Sequence, residues 1–184
     1  VRTVPSSSIG PPAYRINPYV GTEERDVVET MASTATPLCE IADVTVGYQL
    51  YHRSIHSDAE IEDEVFHAET KVHADYAVDT RSGALRRYHL DRSETRYVDT
   101  SATFFRIPPR RFLDGEKLLL REVPSKRETG LIATRSTDEL LFPKSVISVV
   151  LTDEAYDYEH LLGLLNSRLL YLQSLVTGEK MGQD

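Results

Sequence analysis

The stretch HLLGLLNSRLLYLQ, residues 160–173, has the strongest periodicity in the chain. At 100° per residue, six apolar side chains fall within one arc of about 100° on a helix. These are Tyr158, Leu161, Leu162, Leu165, Leu169 and Leu172. Asn166 and Ser167 fall on the opposite side, and Asp157 suits the N-cap. The pattern predicts one amphipathic helix with a buried leucine face and a polar face around Asn166.

Three β-rich runs separated by polar turns precede this helix: KLLLREV at 117–123, GLIATR at 130–135 and SVISVVLT at 145–152. The last run is apolar at consecutive positions, which is typical of a central strand covered on both faces. A three-stranded meander is the simplest arrangement. We therefore predict an α+β fold: a small, mostly antiparallel sheet with short helices and a C-terminal amphipathic helix packed on it.

The N-terminal residues 1–19 contain four of the nine prolines and a triple serine. Such a composition predicts an extended arm or linker, which leaves residues 20–184 as the domain. Thr22 suits the N-cap of a short helix that Pro37 ends, and a strand is predicted to follow in LCEIADVTVG, residues 38–47. Ser57 with Glu60 three residues later is a capping-box pattern and predicts a short helix.

Composition narrows the class of protein. The net charge of the 184 residues is −8, which argues against a simple basic nucleic-acid binder. The single cysteine excludes an internal disulfide framework and a multi-cysteine zinc site. No apolar run approaches the roughly 20 residues that a membrane span needs, and no signal segment opens the chain. We therefore expect no membrane partner and a cytoplasmic location.

The charges are unevenly distributed. Residues 71–144 carry 15 Lys/Arg against 11 Asp/Glu, and most of these cations are arginines. Arginine has a planar fork that suits phosphates and guanine edges. The basic clusters lie in RSGALRRYHLDRSETRY (81–97), RIPPRRF (106–112) and REVPSKRETG (121–130). An alternative interpretation is that these cations pair with the acidic first third of the chain at the surface.

Residue patterns that are typical of catalytic sites are weak in this sequence. INPYV at 16–20 lacks one proline of the Asn-Pro-Pro-Tyr of amino-group methyltransferases, and too few residues precede it for a cofactor-binding sheet. His52, His56 and Glu60 are spaced four apart and could share a metal in a small metal-dependent enzyme, but no His-Glu-x-x-His is present. We expect neither catalytic residues nor a metal. A non-catalytic protein-interaction module remains a further alternative.

Five segments follow one another in an order that resembles the TaqI-like C-terminal specificity domain, the target-recognition part of adenine-specific DNA methyltransferases and restriction–modification enzymes. The resemblance covers about residue 38 to the end. The segments are DVTVGYQLYH (43–52), VFHAETK (65–71), SGALRRYHL (82–90), FLDGEKLLLREV (112–123) and LLGLLNSRLLYL (161–172). Family members continue beyond the point that corresponds to Asp184, so we expect this chain to end inside the domain.

The resemblance implies that catalysis and DNA recognition belong to two different domains. An N-terminal methyltransferase domain of the same polypeptide would bind S-adenosylmethionine and flip an adenine, and in some members an endonuclease is fused to it. This stretch would read the site on double-stranded DNA. It would hold no cofactor and catalyse no step itself, and its parent would be a site-specific methyltransferase that works in restriction or another form of phage defence.

The residues that match the family are Gly47 with Tyr48, Arg87 with Tyr88, Arg121 with Glu122, and Asn166 with Ser167. The predicted DNA contacts are Arg86, Arg87, Tyr88, Arg92, Arg110, Arg111, Lys126 and Arg127. We expect them to form a concave cationic wall. The polar face of Asn166 and Ser167 is expected to dock on the methyltransferase domain or the DNA backbone. Equally, the asparagine could tie a neighbouring loop within the fold.

Overall fold

The protein has an α+β fold. The computed structural model describes residues 21–123 and 130–177. The helices are α1 (Thr22–Thr34), α2 (Leu38–Ile41), α3 (Asp58–Glu62), α4 (Tyr158–Leu165) and α5 (Arg168–Thr177). The strands are β1 (Ala42–Val46), β2 (His67–Ala68), β3 (Tyr76–Thr80), β4 (Leu85–Arg86), β5 (His89–Leu90), β6 (Thr95–Asp99), β7 (Lys117–Arg121), β8 (Ala133–Ser136) and β9 (Val146–Leu151). Within the described ranges, these strands pair antiparallel in three sheets, as the sequence predicts.

The largest sheet has the strand order β1-β9-β7-β8. The central position predicted for SVISVVLT is confirmed, because β9 lies between β1 and β7. The simple meander is wrong: β7, and not β8, occupies the middle of the last three strands. The reason lies in burial, since Leu118, Leu119 and Leu120 are all buried and need cover on both faces and a neighbouring strand on either side.

One of the other two sheets, the small sheet, has the strand order β2-β6-β3, and the other is the hairpin β4-β5. Residues 141–143 connect the small sheet to the segment after β1. Leu141 donates its N–H to Val78 O and accepts from Thr80 N, each at 2.9 Å, while Tyr48 N donates to Phe142 O at 2.9 Å. A β-carbon at Gly47 would lie 2.0 Å from the Phe142 carbonyl oxygen, so only glycine fits at this crossing.

The main core lies between the sheet and α4. Leu161, Leu162 and Leu165 pack on Leu118 and Val149, which confirms the part of the predicted apolar face that lies in α4. Leu169, predicted on the same buried face, is 43% exposed. Each fully buried leucine contributes about 1.5–3 kcal/mol of hydrophobic free energy relative to exposure. A second cluster covers the opposite face of β7; it contains Leu85, Phe112, Leu119, Ile132, Leu140, Phe142 and Val146.

Local capping signals are reproduced closely. Ser57 accepts a hydrogen bond from Glu60 N, and Asp157 accepts one from His160 N at 2.6 Å, so these two predicted N-caps are confirmed. The N-cap predicted at Thr22 is wrong by one residue, because Gly21 is the N-cap and Thr22 begins α1. The predicted strand 38–47 is partly wrong, because its first four residues form the single helical turn α2 before β1 begins. Among the helices of the described ranges, none combines the length and apolar character required to cross a membrane.

The C-terminal segment is two helices and not one. α4 ends at Leu165 and α5 begins at Arg168, and Asn166 is buried instead of lying on a polar outer face. Its amide Oδ1 accepts from Ala133 N at 2.9 Å, and its Nδ2 donates to Ala133 O at 2.9 Å and to Leu162 O at 3.2 Å. The helix breaks here because the amide pairs with a strand whose outer edge would otherwise leave buried backbone groups unsatisfied.

Replacement of Asn166 by alanine is expected to lower the free energy of unfolding by about 2 kcal/mol, because the buried Ala133 N–H loses its acceptor, while the Ala133 carbonyl keeps the hydrogen bond from Tyr88 N. Urea denaturation followed by circular dichroism measures this loss. Ser167→Ala is the matched control: Ser167 Oγ accepts a hydrogen bond from Leu170 N at 3.3 Å, and its loss should cost about 0.5–1 kcal/mol. Equal effects of the two substitutions would contradict the proposed role of Asn166.

Candidate nucleic-acid interface

The hairpin β4–β5 presents the Arg-Tyr pair that the sequence singles out. Arg86 and His89 face each other in register, so Arg87 and Tyr88 form the two-residue turn. Tyr88 has a φ of +64°, a left-handed conformation that a non-glycine residue rarely adopts, and its side chain lies at the surface with the residue 60% exposed. The turn therefore displays an aromatic ring at the cost of local backbone strain.

The hairpin is bound to Ala133, the residue whose backbone Asn166 also binds. Tyr88 N donates to Ala133 O at 2.9 Å, so this carbonyl accepts from both the hairpin and the asparagine amide. Three segments that are far apart in sequence, SGALRRYHL, GLIATR and LLGLLNSRLLYL, thus meet at one residue of β8. A second shared acceptor joins the basic segments, since Gly83 O accepts from Arg86 Nη1 at 2.7 Å and Arg121 Nη2 at 3.0 Å.

A groove runs between the hairpin and the end of β8. It consists of two adjoining hollows of about 530 Å³ and 390 Å³, which share Leu90, Arg92 and Asp138 in their walls. The larger hollow is lined in addition by Tyr88, His89, Thr134, Arg135, Ser136 and Thr137. The smaller is lined in addition by Val78, Thr80, Thr95, Glu139 and Leu140.

The groove carries both signs of charge. Arg92 Nη2 lies 2.6 Å from Asp138 Oδ2, and Arg135 lies between Glu116 and Glu159. Arg110 pairs with Asp114 at 2.5 Å and with Glu139 at 3.5 Å, beside the same turn that carries Asp138.

The remaining predicted contacts are also engaged within the fold. Arg86 pairs with Glu94 at 3.0 Å, and Arg111 pairs with Asp43 at 3.0 Å. Arg87 donates from Nε to Leu131 O at 3.3 Å and packs against Gly130. Lys126 and Arg127 lie outside the described residues. In the part of the chain that is described, an uninterrupted cationic wall does not form, because Arg86, Arg92, Arg110 and Arg111 are each paired with a carboxylate.

Lys117 is a member of the site that the sequence did not indicate. It is fully buried at the start of β7, and its Nζ donates to Gly115 O at 2.9 Å and Asp138 O at 2.7 Å. Burial lowers the pKa of this ammonium group. The lysine thereby fixes the turn at 137–139 that carries the Asp138 carboxylate. The only available signal was a lysine directly before three leucines.

A buried polar cluster lies on one face of the small sheet, and the sequence did not indicate this cluster either. Asp79 is fully buried opposite Arg96, whose Nε donates to Asp79 Oδ2 at 2.9 Å and whose Nη1 donates to Glu64 at 2.6 Å. His67 lies beside them, with its Nε2 3.0 Å from Tyr48 Oη and its Nδ1 3.0 Å from Tyr51 Oη. Burial raises the pKa of Asp79, and Arg96 opposes that rise.

Because these residues are buried, they stabilise the fold and do not form part of the groove. Val78, Thr80 and Thr95 lie on the opposite face of the same strands, where they line the smaller hollow. Thr80 Oγ1 is buried and has no hydrogen-bond partner among the described residues.

The three residues of the predicted metal-site alternative do not converge. His52 Nδ1 lies 2.7 Å from Ser54 Oγ and its ring stacks on Phe105, while Glu60 Oε2 accepts from Ser57. His56 is buried against other aromatic rings. Throughout residues 21–123 and 130–177, no group of three His, Cys, Asp or Glu side chains is arranged to hold a metal ion.

The docking role expected for Asn166 has to be corrected, because its amide points inward to Ala133 and Leu162. The alternative that it ties a neighbouring segment is what the structure contains. Ser167 is half-buried and its hydroxyl accepts from Leu170 N in the first turn of α5. The helix periodicity could not reveal this, because a break resets the direction of every later side chain.

Comparisons with known proteins do not place the chain in a family. No model of a known protein family matches the sequence, and no curated protein matches it.

His67 should make the stability of the fold depend on pH. Burial, followed by the nearby Arg96 charge, lowers its pKa from 6.5 to about 4. The folded state therefore favours the neutral ring, and the unfolded state takes up a proton first as the pH falls below 6.5. Between pH 7.5 and 5.5 this should remove about 1 kcal/mol from the free energy of unfolding, and the loss should continue towards pH 4.

Urea denaturation of the wild type and of His67→Gln at both pH values isolates this contribution, because glutamine does not titrate. Titration of the His67 ring protons by NMR provides a second measurement on the wild type. A glutamine variant with the same pH dependence as the wild type would show that His67 is not the responsible group.

Proposed function

We propose that the chain is a sequence-specific DNA target-recognition domain of a bacterial adenine-specific DNA methyltransferase or restriction–modification enzyme. Support comes from the ordered segments that resemble the TaqI-like specificity domain and from the way two of them, SGALRRYHL and LLGLLNSRLLYL, meet at Ala133. The observation that carries the proposal is the exposed, left-handed Tyr88 at the tip of a two-stranded hairpin beside a groove.

A strained residue is informative because folding alone would favour a different side chain. Glycine adopts a φ of +64° without the steric conflict that tyrosine has, and strain of this kind costs of the order of 1 kcal/mol. Tyr88 also leaves most of its ring in water. An exposed aromatic ring and a two-stranded ribbon are both suited to contact with nucleic acid, since a ribbon fits the major groove of B-DNA.

The ion pairs of the groove do not oppose DNA binding. Pairs between exposed side chains contribute only about 0–1 kcal/mol each, so Arg92, Arg110 or Arg111 can exchange a carboxylate for a phosphate at little cost. The paired carboxylates do lower the affinity for DNA in general. In this proposal the N-terminal methyltransferase domain supplies the remaining phosphate contacts and binds S-adenosylmethionine, while this domain supplies selectivity.

Double-stranded DNA and that methyltransferase domain are the partners in this proposal, and the cytoplasm is the location of both. Arg86 and Arg87 serve chiefly to position the hairpin, because their guanidinium groups donate to backbone carbonyl groups of the fold. Lys126 and Arg127 remain predicted DNA contacts.

The first expected outcome is salt-dependent binding to duplex DNA. If about three phosphates are contacted, affinity should fall roughly 40-fold between 50 and 200 mM salt. Fluorescence anisotropy with labelled duplexes of random sequence measures this dependence on the full 184-residue chain. Absence of binding at 50 mM salt would rule out the proposed function for the chain on its own.

The substitution Tyr88→Gly distinguishes the contribution of Tyr88 to stability from its contribution to DNA binding. The substitution should leave the free energy of unfolding unchanged or raise it by about 1 kcal/mol, because the backbone strain is relieved. DNA affinity should fall at least fivefold, because the exposed ring is lost. Phe105→Ala is the control, since Phe105 is an exposed aromatic residue outside the groove and its loss should leave DNA affinity unchanged. Parallel loss of affinity in both variants would contradict a specific role for Tyr88.

A further inference from the structure

Arg92 and Asp138 form the wall that the two hollows of the groove share. Their side chains are 73% and 38% exposed, and Arg92 Nη2 lies 2.6 Å from Asp138 Oδ2. The pair therefore lies side by side at the surface with polar edges open to water.

Hydrogen bonds within the fold fix the backbone of both residues. Asp138 has its carbonyl fixed by the buried ammonium group of Lys117 at 2.7 Å and its N–H bound to Ser136 Oγ at 3.2 Å. Arg92 begins a 3-10 turn whose start is capped by Asp91, which accepts from Ser93 N at 3.1 Å. The backbone positions are thus set before any ligand arrives, which reduces the entropy lost on binding.

The donors and the acceptor of the pair complement the hydrogen-bonding pattern at the major-groove edge of one base pair. A guanidinium group offers two neighbouring donors and the adjacent carboxylate offers an acceptor. A G·C pair presents, in order across the major groove, the guanine N7 and O6 acceptors and the cytosine N4 donor. An A·T pair presents an acceptor, a donor and an acceptor, which would place the guanidinium group against a donor.

We infer that Arg92 and Asp138 together read one G·C base pair, with Arg92 donating to guanine O6 and N7 and Asp138 accepting from cytosine N4. This inference rests on the proposed function and assigns the base chemistry within it. The existing ion pair supports the assignment, because two opposite charges that enter the major groove of DNA together are less costly to desolvate than a single unpaired charge.

The test begins with selection of bound sites from a library of random duplexes by the wild-type chain at 50 mM salt. The wild type should select a site with at least one fixed G·C pair. Arg92→Lys keeps the charge and removes the planar fork, and Asp138→Asn keeps the shape and changes the carboxylate. Each variant should lose about tenfold of the preference for the same G·C pair, and binding to random duplexes should stay within threefold of the wild type for Arg92→Lys.

Arg53→Lys and Asp58→Asn are the matched controls, because these residues form an exposed ion pair at 3.1 Å and neither lines the groove. Their selected site should equal that of the wild type, and thermal melts should show that all four variants are folded. DNA binding with an unchanged G·C preference in Arg92→Lys and Asp138→Asn would overturn the inference alone. Failure of the wild type to bind any duplex would overturn the proposed function, and the inference with it.

Discussion

The structure depends on the pairing between the Asn166 amide and the outer peptide edge of Ala133. An edge strand leaves N–H and C=O groups without partners, and burial makes such groups costly. One asparagine satisfies both groups at the position where α4 must end. The same carbonyl also accepts from Tyr88 N, so the end of α4, the edge of β8 and the tip of the hairpin are fixed relative to one another.

Buried ionisable groups set the remaining geometry, and each has a defined partner. Lys117 binds two carbonyl groups and thereby holds the Asp138 turn. Asp79 binds Arg96 on the face of the small sheet that points away from the groove. Removal of one member from such an arrangement leaves a buried charge without compensation and is strongly destabilising. The Asp138 turn in the wall of the groove is therefore held by a buried charge.

The groove itself is close to electrically balanced, since Arg92 and Arg135 in its walls face carboxylates at hydrogen-bonding distance. A balanced surface adds little to non-specific affinity for a polyanion, but it distinguishes well between patterns of donors and acceptors. This property suits a domain whose partner contributes the phosphate contacts. It also reconciles a net charge of −8 with a proposed role on DNA.

The sequence by itself determined the elements whose signals are local. The α+β class, the buried leucine face of α4, the central position of β9 and the caps at Ser57 and Asp157 all depend on periodicity or on residues within one turn. Only the tertiary structure decided the strand order, the break at Asn166, the buried Lys117 and the carboxylate partner of Arg92. These depend on groups that lie far apart in the chain and come together only when burial forces each polar atom to find a partner.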